Sequence, residues 1–395
     1  MMRFASAVSA NPDRERAVED LFGQIRGTLD PADVHLLVFF CSAHFEDELE
    51  SIVELLRLWS PSAMLLGCTA EGTIGAGREL QRGCSMSALA GVLPGVDIHP
   101  FRLTQEQLEA KDAADDWTDP LGVAADTSAV MVALGDPFSF DVLEFLEKIN
   151  AALPGVPVVG GMASAAEQPG QTRLILGDRV HREGMVGVTL TGNITVRTVV
   201  SQGCRPIGQP FVVTKGDRNV IRELGGKPPV VQLNKVFQDL TPKEVALAKQ
   251  ALFVGRVINE YQDAFARGDF LIQNIVGLDP EGGAIAVAAQ VRVGSTVQFH
   301  VRDAECADED LRTLLGGVSP GVAETPPAAA MLFDCNGRGI RMWPHEGHDV
   351  GILRELCGPI PVAGFFAAGE IGPVGGKNFV HGFTASIALL SPSQS

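Results

Sequence analysis

Gly364-Phe365-Phe366-Ala367-Ala368-Gly369-Glu370-Ile371-Gly372-Pro373-Val374-Gly375-Gly376-Lys377-Asn378-Phe379-Val380-His381-Gly382-Phe383 sets a carboxylate, a lysine, an asparagine and a histidine in what reads as a glycine-rich loop between two apolar runs. Two weaker echoes precede it. Gly67-Cys68-Thr69-Ala70-Glu71-Gly72-Thr73-Ile74-Gly75 follows one apolar run, and Gly160-Gly161-Met162-Ala163-Ser164 follows another. Around each, the same order of elements is expected. The first copy opens with the strand-like Val34–Phe40. A helix follows with Leu49, Ile52, Val53 and Leu56 at three-to-four spacing, then a strand over Ala63–Leu66, the glycine loop, and a further strand over Gly83–Leu89. The second copy runs from Ala129–Leu134 through a helix carrying Val142, Leu146 and Ile149 to Pro157–Gly161, and closes on Gly184–Leu190. The third runs from Ala329–Phe333 through a short helix with Ile352, Leu353 and Leu356 to Pro361–Gly364, and closes on Gly382–Leu389. The spans from Val34 to Gly67, Ala129 to Gly160 and Ala329 to Gly364 are nearly equal. Three such matches in one order argue for a repeated β-α-β-β unit whose loops converge on a site.

The bulk properties narrow the class. At 395 residues the chain holds two or three domains, and 46% hydrophobic with 20% charged residues suits large buried cores. Thirty-one basic against 48 acidic residues leave a net charge of −17, which opposes binding to nucleic acid or to an anionic membrane. Part of that charge lies between Glu106 and Asp126, with Glu109, Asp112, Asp115, Asp116 and Asp119 between them, and is expected on a solvated surface. The cysteines at 41, 68, 84, 204, 306, 335 and 357 form no C-x-x-C pair, and their scatter fits a reducing cytoplasm. No apolar run reaches the ~18 residues of a membrane span. Phe4–Ala10 is read as a first strand running into Asn11-Pro12-Asp13-Arg14, which opens a helix, rather than as a signal peptide.

Between Ser201 and Pro229 turn formers are dense, so this stretch is expected to be a long connection with the main boundary near its end, dividing the chain into domains 1–228 and 229–395. Beyond it, Thr241-Pro242-Lys243-Glu244 matches a capping box with proline at the first helical position. Pro280-Glu281-Gly282-Gly283 marks a hairpin, Val297–Val301 alternates as a half-buried strand, and Asp303 is placed to cap a helix.

Four segments, in order, resemble the FIST domain family: Gly67–Gly72, Val200–Gly208, Val297–Ala304 and Gly364–Phe383. The resemblance covers nearly the whole chain, as an N-terminal FIST part joined to a C-terminal one. It implies an intracellular sensory module that binds small ligands, amino acids among them. Relatives carry kinase, cyclase, chemoreceptor or F-box modules. Nothing before Val34 is long enough for an F-box and nothing follows Ser395, so the expected output is a separate signalling protein.

The loop chemistry suits such a role. Glu370 stands among Gly369, Gly372, Gly375 and Gly376, which let backbone N–H groups approach a ligand. Its carboxylate suits a ligand's ammonium or guanidinium, while Lys377 and Asn378 suit its carboxylate; an amino acid offers both. The alternative is that Glu370 closes its own loop and Lys377 lies in solvent. Glu71, beside Thr69 and Cys68, is read as the counterpart of Glu370 in the first copy. Cys335 and Cys68 are candidate nucleophiles, with His381 as base and Arg338 three residues after Cys335, although small buried cysteines are common at strand ends. Arg338 in its Asn-Gly-Arg-Gly turn suits a fork on a ligand carboxylate or a structural ion pair. His345, Glu346 and His348 lack the H-E-x-x-H arrangement, and no phosphate-binding loop is present, so no metal or cofactor is expected. The expected fold is α/β, with repeated β-α-β-β units forming mixed sheets in two associated domains. The expected function is a cytoplasmic small-ligand sensor, without catalysis and without nucleic-acid or membrane partners. The rivals are a Cys-dependent enzyme and a protein-interaction adaptor.

Overall fold

Leu36–Ser42 and Ala329–Cys335 are buried at every position, as strands must be when both faces of their sheet are covered. The computed structural model describes residues 1–111, 117–123, 129–262, 264–324 and 326–393, with residues 319–324 as backbone alone. Asp112, Asp115, Asp116 and Asp126 of the acidic segment lie outside the described residues.

Along the chain come β1 (Arg3–Ser9), α1 (Arg14–Arg26), β2 (Leu36–Ser42), α2 (Leu49–Trp59), β3 (Met64–Ala70), β4 (Thr73–Gly75), β5 (Arg78–Leu80) and β6 (Met86–Val92). The second repeat holds β7 (Val96–Leu103), α3 (Gln105–Glu109), α4 (Thr118–Leu121), β8 (Ala129–Gly135), α5 (Val142–Ala152), β9 (Val158–Met162), β10 (Leu174–Leu176), β11 (Arg179–His181) and β12 (Met185–Gly192). The third begins with β13 (Thr195–Gln202) and is interrupted by β14 (Cys204–Asp217), β15 (Val220–Leu224), α6 (Pro229–Asp239), α7 (Pro242–Gln250), β16 (Leu252–Val257), β17 (Phe270–Leu278), β18 (Ile285–Val287) and β19 (Thr296–Arg302). It resumes through α8 (Ala304–Glu324) with β20 (Ala329–Cys335), α9 (His348–Cys357), β21 (Val362–Ala367), β22 (Glu370–Val374), β23 (Lys377–His381) and β24 (Thr384–Ser391).

Each repeat builds a six-stranded mixed sheet in one pattern. The orders are β1-β6-β2-β3-β10-β11, β7-β12-β8-β9-β22-β23 and β13-β24-β20-β21-β4-β5. The pairs β2–β3, β8–β9 and β20–β21 are parallel. The last two strands of every sheet come from another repeat: β10–β11 completes the first sheet, β22–β23 the second and β4–β5 the third. The hairpins are thus exchanged around a ring of three.

One contact recurs at each exchange. Ile175 sits opposite Gly67, Ile371 opposite Gly160 and Ile74 opposite Gly364. A Cβ on any of these glycines would overlap a backbone carbonyl of the neighbouring parallel strand, that of Phe39, Ala133 or Leu332 respectively. The glycines behind the sequence echoes therefore allow close strand approach within the sheets.

The inner faces of the three sheets share one apolar core, with Val38 and Phe40, Val132 and Leu134, and Met331, Phe333 and Phe365 as members. Their outer faces are covered separately. Helices α1 and α2 bury Leu21, Ile52 and Leu56 on the first, α5 buries Phe145 and Ile149 on the second, and α8 and α9 bury Leu311 and Leu353 on the third. At roughly 1.5–3 kcal/mol per fully buried large apolar side chain, this double coverage is the main source of stability.

Two expectations need correction. Gly364–Phe383 is mostly strand. Gly375 and Gly376, at φ 59° and 78°, make the two-residue turn joining β22 to β23, since a tight hairpin needs two positive-φ residues. The Ser201–Pro229 stretch is likewise no loose connection. Strands β14 and β15 within it belong to the closed barrel β14-β15-β18-β17-β16-β19. Its glycines and prolines bend a long strand, whose register with β19 shifts between Ile207 and Phe211. The chain forms two compact units, residues 1–200 with 311–380 and 384–395, and the barrel unit of residues 201–310 with 381–383.

The capping box at Thr241 and the hairpin between β17 and β18 are present as read, and Asp303 Oδ1 accepts from the N–H groups of Glu305 and Cys306. Gly364→Ala is expected to destabilise the protein by about 3 kcal/mol or more. Gly351→Ala, on α9 with open space around it, should be neutral or stabilising by up to ~1 kcal/mol. Thermal denaturation of the two variants checks the pair.

Candidate functional site

At the carboxyl end of the parallel pair β20–β21, the strand turns sharply after Cys335. Arg338 N–H donates to the Cys335 carbonyl at 2.8 Å, and Gly339 continues at φ 55°. The turn folds Arg338 back under the sheet, where it has no solvent exposure. Its Nε and Nη2 donate to the two carboxylate oxygens of Asp349 at 2.6 and 2.9 Å, a bidentate fork from the first turn of α9. The guanidinium also lies 5.0 Å from the Trp343 ring centre, and Trp343 stacks on His348. Glu79 of β5 accepts from the N–H groups of Gly347 and Val350, both at 3.0 Å, and so satisfies the amino end of α9.

Two further carboxyl groups complete the cluster. Asp334 immediately precedes Cys335, and its Oδ1 is 3.9 Å from Arg338 Nε. Glu370 opens β22, where its Oε2 accepts from Thr384 N–H at 3.1 Å and Thr384 Oγ1 at 2.8 Å. Asp334, Arg338 and Glu370 are all fully buried. Among the described residues, both Asp334 oxygens, Glu370 Oε1 and Arg338 Nη1 have no hydrogen-bond partner.

The charges are therefore unevenly held. For Asp349, burial works upward, but the Arg338 guanidinium and His348 outweigh it and hold the group at about 2. Burial drives Asp334 well above the usual carboxylate range, and Asp349 adds repulsion that Arg338 only partly offsets. Burial raises Glu370 to about 8 against the Thr384 hydrogen bonds, the Cys335 thiol and Arg338. Burial and Asp349 raise Glu79 to about 7. Four buried carboxyl groups around one guanidinium cannot all be ionised cheaply, and the cluster keeps protons near neutrality.

The residues singled out in the sequence are only partly brought together. Glu370, Arg338 and Cys335 meet in this cluster, where the Cys335 sulfur accepts from Gly337 N–H at 3.4 Å. Asn378 does not face it. Its side chain bonds to Val158 N–H, the Val156 carbonyl and Asn150, pinning β23 to the second repeat. Lys377 is exposed on the hairpin, and His381 is buried in the barrel unit. Glu71 is exposed in an ion pair with Arg341. Strand register makes Thr73, not Glu71, the counterpart of Glu370, because both stand one residue before the isoleucine facing a glycine. Thr69 is buried, and its hydroxyl accepts from Arg173 N–H at 3.2 Å. Cys68 is fully buried, and burial, with Cys41 nearby, holds its thiol protonated, contrary to what a nucleophile needs. Asp334, Asp349 and Glu79 escaped the sequence reading. The available signal was Asp334, an acid ending an otherwise apolar strand.

Family models match the chain over residues 35–227, as a FIST N domain, and 234–373, as a FIST C domain. The chain belongs to the FIST family. FIST domains are in general ligand-binding sensory domains. The two models meet close to residue 228, inside the barrel segment. Relatives of this FIST protein include uncharacterized proteins of Mycobacterium tuberculosis, 40% identical over 98% of this chain and 99% of theirs, and of Mycobacterium bovis, 39% identical over 98% of both. Among solved structures, a cyanuric acid hydrolase from A. caulinodans aligns at 11% identity and TM-score 0.23, over 48% of this chain and 71% of that one. A second cyanuric acid hydrolase aligns at 10% and 0.27, over 77% and 100%. Likeness at that level carries no argument about this protein. Among the described residues no helix is long and apolar enough to cross a membrane.

Two outcomes follow from the burial of these groups. Glu370 ionises near 4.5 when unfolded and near 8 in the native protein. Its stabilising contribution is therefore whole below about pH 4.5 and is lost as pH rises through 8, at about 1.4 kcal/mol per pH unit. Glu370→Gln, which mimics the protonated form, should flatten the fall in melting temperature between pH 5 and pH 8.5 relative to the parent. In native alkylation followed by mass spectrometry, half-buried Cys84 should react well before Cys41 and Cys68, which burial keeps protonated.

Proposed function

We propose that this FIST protein is a cytoplasmic sensor of a small zwitterionic molecule, an amino acid in the simplest case, held by Asp334, Arg338 and Glu370 and reported through a separate signalling partner. The observation that carries this reading is the set of unmet hydrogen-bonding groups in one buried place. The three unpaired carboxyl oxygens suit an ammonium group, and Arg338 Nη1 suits a carboxylate. Buried polar groups are nearly always paired, and clustered exceptions point to function. This revises the division of labour expected from sequence. Arg338 takes the place of Asn378 and Lys377 on the ligand's carboxylate, while Glu370 keeps its role toward the amine.

Arg341 and Ile340, a few residues beyond Arg338, tie this turn to the first repeat. Glu71 and Arg341 form an ion pair, and Ile340 N–H donates to Gln81 Oε1 at 2.8 Å. Parting these contacts admits the ligand, and closing them reports its presence.

The reading has a proton signature. Glu370 is protonated near neutrality, so an incoming ammonium displaces that proton. Calorimetric titration with a panel of amino acids, in two buffers of different ionisation enthalpy at pH 7, should find one that binds with proton release. Glu370→Gln should then weaken that ligand at least about tenfold, equivalent to ~1.4 kcal/mol, and abolish the buffer dependence. No binding across the panel, or equal affinity of variant and parent, would refute the assignment.

A further inference from the structure

The second repeat departs from the other two at one place. The link from the second parallel strand to the exchanged hairpin is residues 71–72 in the first repeat and 368–369 in the third, but 163–173 in the second. Long excursions from an otherwise regular scaffold are where binding surfaces are built. This one walls a cleft of about 490 Å³ beyond the carboxyl end of β8, within the size range of small-molecule sites. The carboxyl ends of parallel strands are also where open α/β sheets bind ligands.

The chemistry of the cleft differs from that of the whole chain. Although the protein carries a net charge of −17, the cleft is lined by Arg102, His181 and Arg182 together with the acids Asp136 and Glu183. Arg102 Nε is buried without a hydrogen-bond partner among the described residues, and its Nη2 approaches Glu183 only at 3.5 Å, where Glu183 is largely exposed. Burial, with Arg102 and Arg179, disfavours the charged form of His181. The buried acid on the wall, Asp136, is already supplied with donors. Its oxygens accept from Ser139 Oγ at 2.5 Å, Thr172 Oγ1 at 2.6 Å and Phe138 N–H at 3.4 Å. The loop itself is braced by Arg173, whose Nη1 donates to the carbonyls of Gly170, Gln171 and Thr172.

We propose that this cleft is a second ligand site, independent of the Asp334–Arg338–Glu370 cluster, and that it takes a small multiply charged oxyanion, a phosphate or a dicarboxylate, between Arg102 and Arg182. Arg102, which lines the cleft and is about one-third exposed, supplies its guanidinium as a planar donor. Arg182, at the solvent edge, supplies charge that draws the anion in. The loop 163–173 contributes Pro169 and Gly170 to the wall, where the other repeats have only two-residue links.

The test is titration of the full chain with inorganic phosphate and, separately, with succinate at low ionic strength, followed by calorimetry and by backbone amide shifts. Saturable one-to-one binding of one probe is expected, with shifts at residues 169–183. Tighter binding of phosphate assigns a phosphorylated ligand, and tighter binding of succinate a dicarboxylate. Arg102→Gln should weaken the preferred probe at least about tenfold. Arg182→Gln, at an exposed position that does not threaten folding, should weaken it by a smaller factor, and Arg341→Gln should leave it unchanged. Absence of saturable binding of both probes at millimolar concentration overturns the proposal, as does binding that survives both the Arg102 and Arg182 substitutions. Loss of amino-acid binding on Glu370→Gln would leave the oxyanion affinity intact, so the two sites fail separately.

Discussion

The structure depends on how closely two backbones approach at Gly67, Gly160 and Gly364. At each of these positions a strand lies between its parallel neighbour and a hairpin from another repeat, and the absence of a side chain lets the neighbouring carbonyl sit where a Cβ would be. The isoleucine facing each glycine packs over the exchanged joint. Conformational freedom is not the common reason for the glycines, since only Gly160 of the three has positive φ. Shape is the reason. The three joints tie the sheets into one ring, so the shared apolar core and the position of every strand end follow from them.

On this nearly symmetric frame the chemistry is asymmetric. The positions three residues beyond Phe39, Ala133 and Leu332 are Ser42, Asp136 and Cys335. The first repeat places no buried charge there. The second places an acid satisfied by hydroxyl groups beside an open cleft, and the third places Cys335 next to Asp334 in a sealed cluster with Arg338. The three repeats share their scaffold and differ at these strand ends, as expected when a fold supplies rigid strand ends and loops supply function.

The order of strands and helices was legible because apolar runs and three-to-four spacing are local. The glycine echoes marked equivalent points for the same reason. The exchange of hairpins was not legible, since pairing Thr73–Gly75 with residues near 364 leaves no mark in either segment. Polar residues and paired glycines also made Gly364–Phe383 resemble a binding loop, when Gly375-Gly376 is a hairpin turn and Asn378 a structural pin. The barrel was hidden by the prolines and glycines that bend its longest strand. Within the site, Glu370 and Arg338 stood out through unusual neighbours. Asp349 and Glu79 look like ordinary acids of a helix start and a short strand, and only the folded chain brings Asp349 to the guanidinium and Glu79 to the amino end of the same helix.

The exchanged hairpins also bear on how the chain is made. Strands β4 and β5, at residues 73–80, are translated long before their partner β21, at residues 362–367. At elongation rates of about 5–20 residues per second, that partner arrives roughly 15–60 s later. For that interval the nascent first repeat presents an unsatisfied strand edge, the kind of surface that invites intermolecular pairing. The ring closes only once β21 has emerged, so this architecture ties correct assembly to protection during translation.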